Sequence, residues 1–149
     1  MKYDDASWHC GGDFPEGSPD EFGATHIALM MKWCFQKGWA GEIHTEDEAS
    51  NSELQKVIAN ELSATGFFMR WCDGKLTDED FNDKGNAFLQ EYYGKEGALY
   101  LPDYADAFGD LMYVKGESEH DFNQFSAMVE KRFQEFPGNG GGKPWWKFW

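Results

Sequence analysis

Apolar side chains recur along most of this chain at the spacing of an α-helix. Between residues 25 and 37 they fall at positions i, i+3, i+4, i+7 and i+8, which is one helical face. The members of this face are Ile27, Met30, Met31, Cys34 and Phe35. No stretch shows the strict alternation of apolar and polar residues that is typical of a half-buried strand. The pattern predicts an all-α domain of five or six short helices.

Capping residues indicate where the next helices begin and end. Ser50 or Asn51 can cap a second helix, because their short polar side chains accept hydrogen bonds from free amides. Gly38 is placed to end the first helix and Gly74 the third, since a left-handed glycine commonly follows a helix. The segment before Ser50 is expected to be an acidic linker. The apolar positions of the second and third helices are Leu54, Val57, Ile58, Leu62, Phe67, Phe68, Trp71 and Cys72.

The clearest start signal belongs to a fourth helix. Thr77 can be its N-cap with Asp80 as a near capping box, and Leu76 and Phe81 fit a hydrophobic staple. Gly85 lies inside this helix at a cost of up to about 1 kcal/mol relative to alanine, so we expect close packing there. Its later apolar positions are Phe88, Leu89 and Tyr92.

The composition of the two ends of the chain indicates where the helical part begins and ends. Residues 1–24 are rich in glycine and proline and predict a long irregular segment packed on the helices. Pro102 predicts the first residue of a fifth helix, and Ser118 the cap of a sixth. We therefore expect a single helical domain over residues 1–136, followed by a glycine-rich linker and a tryptophan-rich tail over residues 137–149.

The charge of the chain limits the partners it can have. It carries 27 acidic against 13 basic residues, a formal charge of −14, while 17% of its residues are aromatic. Acidic disordered chains are poor in aromatics, so this composition indicates a folded domain with a negative surface. Such a surface repels nucleic acid and anionic membranes and attracts basic proteins. We expect neither nucleic acid nor membrane as a partner.

Three acidic clusters are candidates for contact with a partner protein, and the aromatic tail supplies candidate anchors. Self-repulsion destabilises so acidic a chain, so a binding purpose is expected. The candidate partner-binding residues are Glu46, Asp47, Glu48, Asp78, Glu79, Asp80, Asp103, Asp106, Asp110, Trp145, Trp146 and Trp149.

Compartment signals favour the cytoplasm. Three cysteines at irregular spacing do not make a disulfide framework, which favours a reducing environment. The start of the chain lacks the basic and apolar regions of a signal peptide. No apolar run reaches the roughly 18 residues of a membrane span. Monomer and dimer stay open, since tail exchange between copies is a low-cost route to dimers.

The residues that could carry chemistry do not form a recognised motif. His9, Cys10, Asp13 and His26 could hold a metal or an activated thiol, but they lack HExxH or CxxC spacing. Residues 73–80 resemble a calcium loop but fail the EF-hand ligand pattern. We expect no catalytic residue, no metal and no cofactor. A small metal-dependent or thiol enzyme built on the four named residues remains the alternative.

Several strings of the sequence resemble a family of small, acidic, mostly uncharacterised bacterial proteins. They are KYDDASWH at residues 2–9, GGDFP at 11–15, GATHI at 23–27, CDGKLTDED at 72–80, GNAF at 85–88, YY at 92–93 and LPDY at 101–104. The resemblance covers residues 1–136 and implies a candidate immunity protein of a toxin–immunity pair. Its partner would be a cognate toxin, which we expect to have a basic active-site cleft. The resemblance implies no catalytic residues, and an adaptor or scaffold subunit is a further alternative.

Overall fold

The computed structural model describes residues 2–6, 24–94, 99–108 and 119–136. This part of the chain is mostly α-helical and confirms the predicted all-α class, with one small two-stranded sheet in addition. In chain order its elements are β1 (Lys2–Asp5), α1 (Thr25–Gln36), α2 (Glu42–Thr45), α3 (Glu48–Ile58), α4 (Ala64–Trp71), β2 (Lys75–Thr77), a 3₁₀ turn (Asp78–Asp80), α5 (Asp83–Tyr92), α6 (Tyr100–Phe108) and α7 (Glu119–Glu135).

Helix α1 forms the centre of the fold. Every residue from Thr25 to Phe35 is buried, so neighbouring elements enclose the helix on all sides. It packs against α3, α4 and α7. The helix predicted for residues 25–37 is confirmed. Gly38 follows it with φ of +82°, a conformation that glycine adopts without steric cost.

Aromatic rings fill the space around α1. The centroid of the Trp33 ring lies 5.6, 5.5 and 5.8 Å from those of Trp39, Phe88 and Phe133. Tilted and edge-on pairs of this kind each contribute about 0.5–1.5 kcal/mol beyond the burial of area. The aromatic residues of the described part are therefore largely core residues.

Five buried tyrosines predict how the protein responds to alkali. Burial raises the pKa of every one of these phenols, and raises that of Tyr3 from 10.0 to about 12. A raised pKa stabilises the fold fully below the unfolded value, and this stability is lost as the pH rises through the folded value. We expect cooperative unfolding above pH 10, with tyrosinate absorbance rising as helical circular dichroism disappears. Ionisation of these tyrosines near pH 10 with unchanged dichroism would contradict this core. The five are Tyr3, Tyr92, Tyr93, Tyr100 and Tyr104.

Strands β1 and β2, which no alternating pattern in the sequence indicated, form the small sheet. Strand β1 pairs antiparallel with β2, with Lys2 opposite Thr77 and Asp5 opposite Lys75. The pairing is extended by the amide of Ala6, which donates to the carbonyl of Gly74 at 2.8 Å. Strands of four and three residues are too short to show a period-two pattern, so only their long-range partner defines them. The irregular segment predicted from residue 1 is thus ordered at its start, while residues 7–23 lie outside the described part.

The helix predicted to run continuously from Thr77 is interrupted. The capping box between Thr77 and Asp80 forms, but the chain completes only the 3₁₀ turn. Phe81 is then extended, at φ −133° and ψ 158°, because it forms a β-bridge with Ala40. Asn82 caps a new helix, α5, by accepting a hydrogen bond from the amide of Gly85 at 3.0 Å. Tertiary pairing therefore overrides a correct local start signal.

Helix α3 begins earlier than predicted. Its N-cap is Asp47, whose Oδ2 accepts a hydrogen bond from the amide of Ser50 at 2.9 Å. Ser50 lies inside the helix, and its hydroxyl donates to the carbonyl of His44 at 3.0 Å. The segment expected to be an acidic linker contains the short helix α2. Neither Ser50 nor Asn51 is the cap, because Asp47 has the better placed acceptor.

This cap gives a stability prediction. We expect Asp47→Ala to lower the free energy of unfolding by about 1 kcal/mol, because one amide of the first turn loses its acceptor. Asp47→Asn keeps an acceptor at the same place and should cost much less. Urea unfolding of the two variants measures the difference. Equal losses for both variants would show that the charge of Asp47, and not its cap, stabilises α3.

The close packing expected at Gly85 is confirmed. A β-carbon at this position would lie 3.0 Å from Cβ of Phe81 and 3.1 Å from Cβ of Trp39. The absence of a side chain therefore lets the start of α5 approach the segment that follows α1. The helix tolerates glycine here because packing, and not helix propensity, decides the residue.

The last two helices follow the predicted pattern with small differences. Helix α6 begins at Tyr100, two residues before Pro102, so the proline is in the first turn but is not its first residue. Helix α7 confirms the predicted sixth helix, although its expected cap, Ser118, lies outside the described residues. The linker and tail over residues 137–149 lie outside them as well.

Candidate functional site

Two of the three predicted acidic clusters meet in the fold. The amide of Gly41, just before α2, donates to the carbonyl of Asp80 at 2.9 Å, and α2 packs against the 3₁₀ turn. This contact brings α2 close to the 3₁₀ turn; both elements carry carboxylates, as does the first turn of α3, which packs against α2. We call this surface the acidic face. It consists of the exposed or half-buried residues Glu42, Glu46, Asp47, Glu48, Asp78 and Glu79.

The acidic face has few nearby charges of opposite sign in the sequence. No lysine or arginine occurs between residues 38 and 55 or between residues 76 and 83. Ile43 of α2, the neighbour of Glu42, is 52% exposed, one of three large apolar side chains exposed in the described part. The face therefore combines negative potential with an apolar side chain that a partner could cover.

Asp80, one of the predicted contact residues, is buried and does not face a partner protein. Its side chain is buried and points into the domain, where Oδ2 accepts a hydrogen bond from the amide of Thr77 at 2.8 Å. Oδ1 lies 2.8 Å from Nε2 of His44. Both carboxylate oxygens of Asp80 are thus held by groups of the domain itself, one by Thr77 and the other beside His44.

The third acidic cluster is partly neutralised. Asp103 on α6 is bound by Arg132 of α7, with N–O distances of 2.7 and 3.1 Å, and by the hydroxyl of Tyr92 at 2.8 Å. The hydrogen bond from Arg132 is the main cause that lowers the pKa of this carboxyl. Asp106 is exposed on the same helix, next to a groove that Lys131 also lines. Asp110 lies outside the described residues.

The other predicted site residues are mostly outside the described part. This holds for the anchors Trp145, Trp146 and Trp149 of the tail, and for His9, Cys10 and Asp13 of the alternative enzyme site. His26 of that alternative is described and is buried in α1, with Nε2 at 3.6 Å from Oδ2 of Asp4.

Asp4 is the centre of a buried polar group that the sequence did not reveal. Its Oδ2 accepts a hydrogen bond from the hydroxyl of Tyr93, and its Oδ1 accepts one from the amide of Asp5 at 2.8 Å. The hydroxyl of Tyr100 donates to the carbonyl of His26 at 2.5 Å. A buried carboxylate requires such partners, because an unpaired charge in the interior is strongly destabilising. This group therefore joins β1, α1 and the end of α5.

A second buried cluster consists of His44, Cys72 and Asp80. Nε2 of His44 lies 2.8 Å from Oδ1 of Asp80 and 3.8 Å from Sγ of Cys72, and Sγ lies 3.5 Å from the same carboxylate oxygen. His44 and Asp80 are buried, while Cys72 is half-buried. Helix α2, the end of α4 and the 3₁₀ turn each supply one of the three side chains.

The cluster does not have the geometry of a catalytic triad. In a triad the nucleophile and the acid bind opposite nitrogens of the imidazole. Here the thiol and the carboxylate both face Nε2 of His44. Burial, with the neighbouring carboxylate of Asp80 as the second cause, raises the pKa of Cys72 well above its ordinary value. The thiol is therefore neutral at pH 7, whereas a nucleophilic cysteine needs a lowered pKa.

No short motif could have revealed this cluster. His44 is 28 residues from Cys72 and 36 residues from Asp80 in the sequence. Residues 73–80 resemble a calcium loop, and Thr77 and Asp80 a capping box, but neither pattern points to a histidine. Cys72 and Asp80 are eight residues apart, and His44 lies on α2, in the segment predicted to be a linker.

A comparison with family models assigns the chain to a protein family. The model of a family described as Domain of unknown function (DUF7832) matches residues 2–127. The chain belongs to the DUF7832 family. A search of the curated proteins gives no match, and neither does a search of the solved structures. The matched span includes the acidic face, the Asp4 group and the His44–Cys72–Asp80 cluster, whereas the tryptophan-rich tail lies beyond it.

Among the described residues, none of the helices of this DUF7832 protein combines the length and apolarity needed to cross a membrane.

Proposed function

We propose that this DUF7832 protein is an immunity protein that binds and neutralises a cognate bacterial toxin domain through the acidic face. The observation that carries the proposal is the contact of α2 with the 3₁₀ turn, two elements that each belong to an acidic cluster. The charge of the chain supports a basic partner protein. The more specific proposal that this partner is a toxin rests on the family resemblance of residues 1–136. Toxin domains that act on nucleic acid need basic clefts, which an acidic surface complements.

Electrostatics would act mainly on the rate of association. A formal charge of −14 attracts a basic domain over distances of about one Debye length, roughly 8 Å at physiological salt. Such attraction can raise association rates from about 10⁵–10⁶ to 10⁸–10⁹ M⁻¹s⁻¹ at low salt. Fast capture suits an inhibitor that must bind its toxin before damage occurs. Ile43, exposed beside Glu42, supports the proposal as an apolar contact within the charged surface.

The same proposal makes the protein a binder and not an enzyme. In the described part of the chain, the thiol that lies beside an imidazole is that of Cys72. Its pKa is raised, whereas a nucleophilic cysteine needs a lowered pKa. We further propose a cytoplasmic location, where a reducing environment keeps thiols such as Cys34 and Cys72 free.

Protection of cells tests the proposal. The partner is first identified by affinity purification from the native host at low salt, followed by mass spectrometry. The recovered toxin domain is then produced in cells with and without this protein, and survival is measured. We expect full protection by the wild-type chain. Growth arrest at equal levels of the two proteins would overturn the immunity function, and binding without protection would indicate an adaptor.

A variant pair tests whether the acidic face is the surface that protects. Glu42→Gln/Glu46→Gln/Glu79→Gln removes three exposed charges of the face. Its control, Glu61→Gln/Glu91→Gln/Glu119→Gln, removes three exposed charges elsewhere and has the same net charge. We expect weaker protection from the first variant and wild-type protection from the second. Equal protection by both would show that another surface binds the toxin.

A further inference from the structure

We propose that His44, Cys72 and Asp80 form a binding site for a zinc-class divalent metal ion. Three side chains that are common zinc ligands converge on one point from three separate elements. One nitrogen, one sulfur and one oxygen suit a borderline-soft ion, whereas calcium and magnesium prefer oxygen ligands alone.

The separations between the ligand atoms are close to those of a tetrahedral zinc site. Zinc bonds of about 2.0–2.1 Å to nitrogen or oxygen and about 2.3 Å to sulfur hold ligand atoms roughly 3.3–3.6 Å apart. The three separations here are 2.8, 3.8 and 3.5 Å. The His44–Asp80 pair would have to open by about half an ångström, whereas the two separations to Cys72 would change by about 0.2 Å or less.

The surroundings fix the orientation of two ligands. Oδ2 of Asp80 accepts the amide of Thr77, which leaves Oδ1 directed at the cluster. The carbonyl of His44 accepts the hydroxyl of Ser50 and so anchors the backbone of α2. The rings of Phe35 and Phe67 lie at 5.5 and 5.4 Å from the imidazole and restrict its rotation. Supporting contacts of this kind are what orient the ligands of metal sites.

Each proton and hydrogen bond that metal binding displaces at this site can be accounted for. The Sγ–H proton of Cys72 leaves to the solvent, and the thiolate sulfur takes its place as a ligand. Nε2 of His44 gives up its hydrogen bond to Asp80 for a bond to the metal, and its proton, where present, moves to Nδ1 through solvent. Three protein ligands leave the fourth position of a tetrahedral ion to a water molecule, and Cys72, which is half-buried, is the most exposed of the three.

Cobalt is the probe that tests the site, because a cobalt–thiolate bond has a charge-transfer absorption band in the near ultraviolet. The full chain, reduced and freed of metal, is titrated with Co²⁺ and then with Zn²⁺. We expect one equivalent of Co²⁺ to produce the band and Zn²⁺ to remove it. Zinc at a hundredfold excess over its Kd should also raise Tm by at least about 5 °C. A wild-type chain that gives no thiolate band would overturn the proposal.

Single substitutions identify the side chains that bind the cobalt ion and produce the absorption band. Cys72→Ser should lose it, and His44→Gln should weaken cobalt binding at least about tenfold. Cys10→Ser and His120→Gln, which change a thiol and an imidazole away from the cluster in sequence, should bind as the wild type does. A band that persists in Cys72→Ser and disappears in Cys10→Ser would also overturn the proposal. Circular dichroism confirms that each variant is folded. The result is independent of toxin binding, since it is measured on the isolated protein.

Discussion

Gly41→Ala is expected to lower the free energy of unfolding by roughly 3 kcal/mol or more, at the upper end of the cost of overpacking. A β-carbon at residue 41 would lie 2.2 Å from the carbonyl oxygen of Glu79 and 2.9 Å from the amide nitrogen of Phe81. Both are backbone atoms, so no side chain can rotate away. To make room, α2 must separate from the 3₁₀ turn. The contact between these two elements is what brings the two parts of the acidic face together.

Gly66→Ala is the matched control for this substitution. Gly66 is exposed within α4, and a β-carbon there would meet nothing closer than 3.6 Å. Alanine in a helix is favoured over glycine by about 0.5–1 kcal/mol, so this variant should be slightly more stable than the wild type. Urea unfolding of both variants checks the prediction. A Gly41→Ala protein as stable as Gly66→Ala would mean that α2 does not pack against the turn as described.

Tyr93→Phe is expected to cost about 2–3 kcal/mol of folding stability. The Tyr93 hydroxyl donates to the buried carboxylate of Asp4, and its loss removes a hydrogen bond from a charge that has no access to water. The substitution keeps the ring and leaves only a small gap. The cost is therefore an electrostatic one, and it measures how strongly Asp4 depends on its partners.

Its control is the neighbouring tyrosine. The hydroxyl of Tyr92 also donates to a carboxylate, that of Asp103, but Arg132 still binds this carboxylate after the change to phenylalanine. We expect Tyr92→Phe to cost under about 1 kcal/mol, which is typical of partly exposed pairs. Thermal and urea unfolding of the two variants give the comparison. Equal costs would indicate that Asp4 depends no more on the Tyr93 hydroxyl than Asp103 does on that of Tyr92.

Local signals predicted the helices well wherever packing agrees with them. The apolar face of α1, the glycine after it and the tight approach at Gly85 were all readable from the sequence. Each depends on residues within about one helical turn of one another, or on the special freedom of glycine. Such signals identify where an element exists and what ends it.

Long-range pairing explains what the sequence did not predict. Strand β1 is ordered by β2, about 70 residues further along the chain, and Phe81 leaves the helical path because Ala40 pairs with it. No local pattern encodes these partners. The same limit applies to the sites: the acidic clusters were visible as runs of charge, but only the fold shows that two of them meet. It also shows that Asp80 belongs to a buried cluster with His44 and Cys72.

The association rates of the identified toxin domain with two variants of equal net charge show whether the toxin binds through the acidic face. One variant is Glu42→Gln/Glu46→Gln/Glu79→Gln, and the other is the control Glu61→Gln/Glu91→Gln/Glu119→Gln. At low salt, we expect the first variant to associate at least about tenfold more slowly than the second, with a rate that depends less on ionic strength. Indistinguishable rates and salt dependences for the two variants would contradict binding through the acidic face.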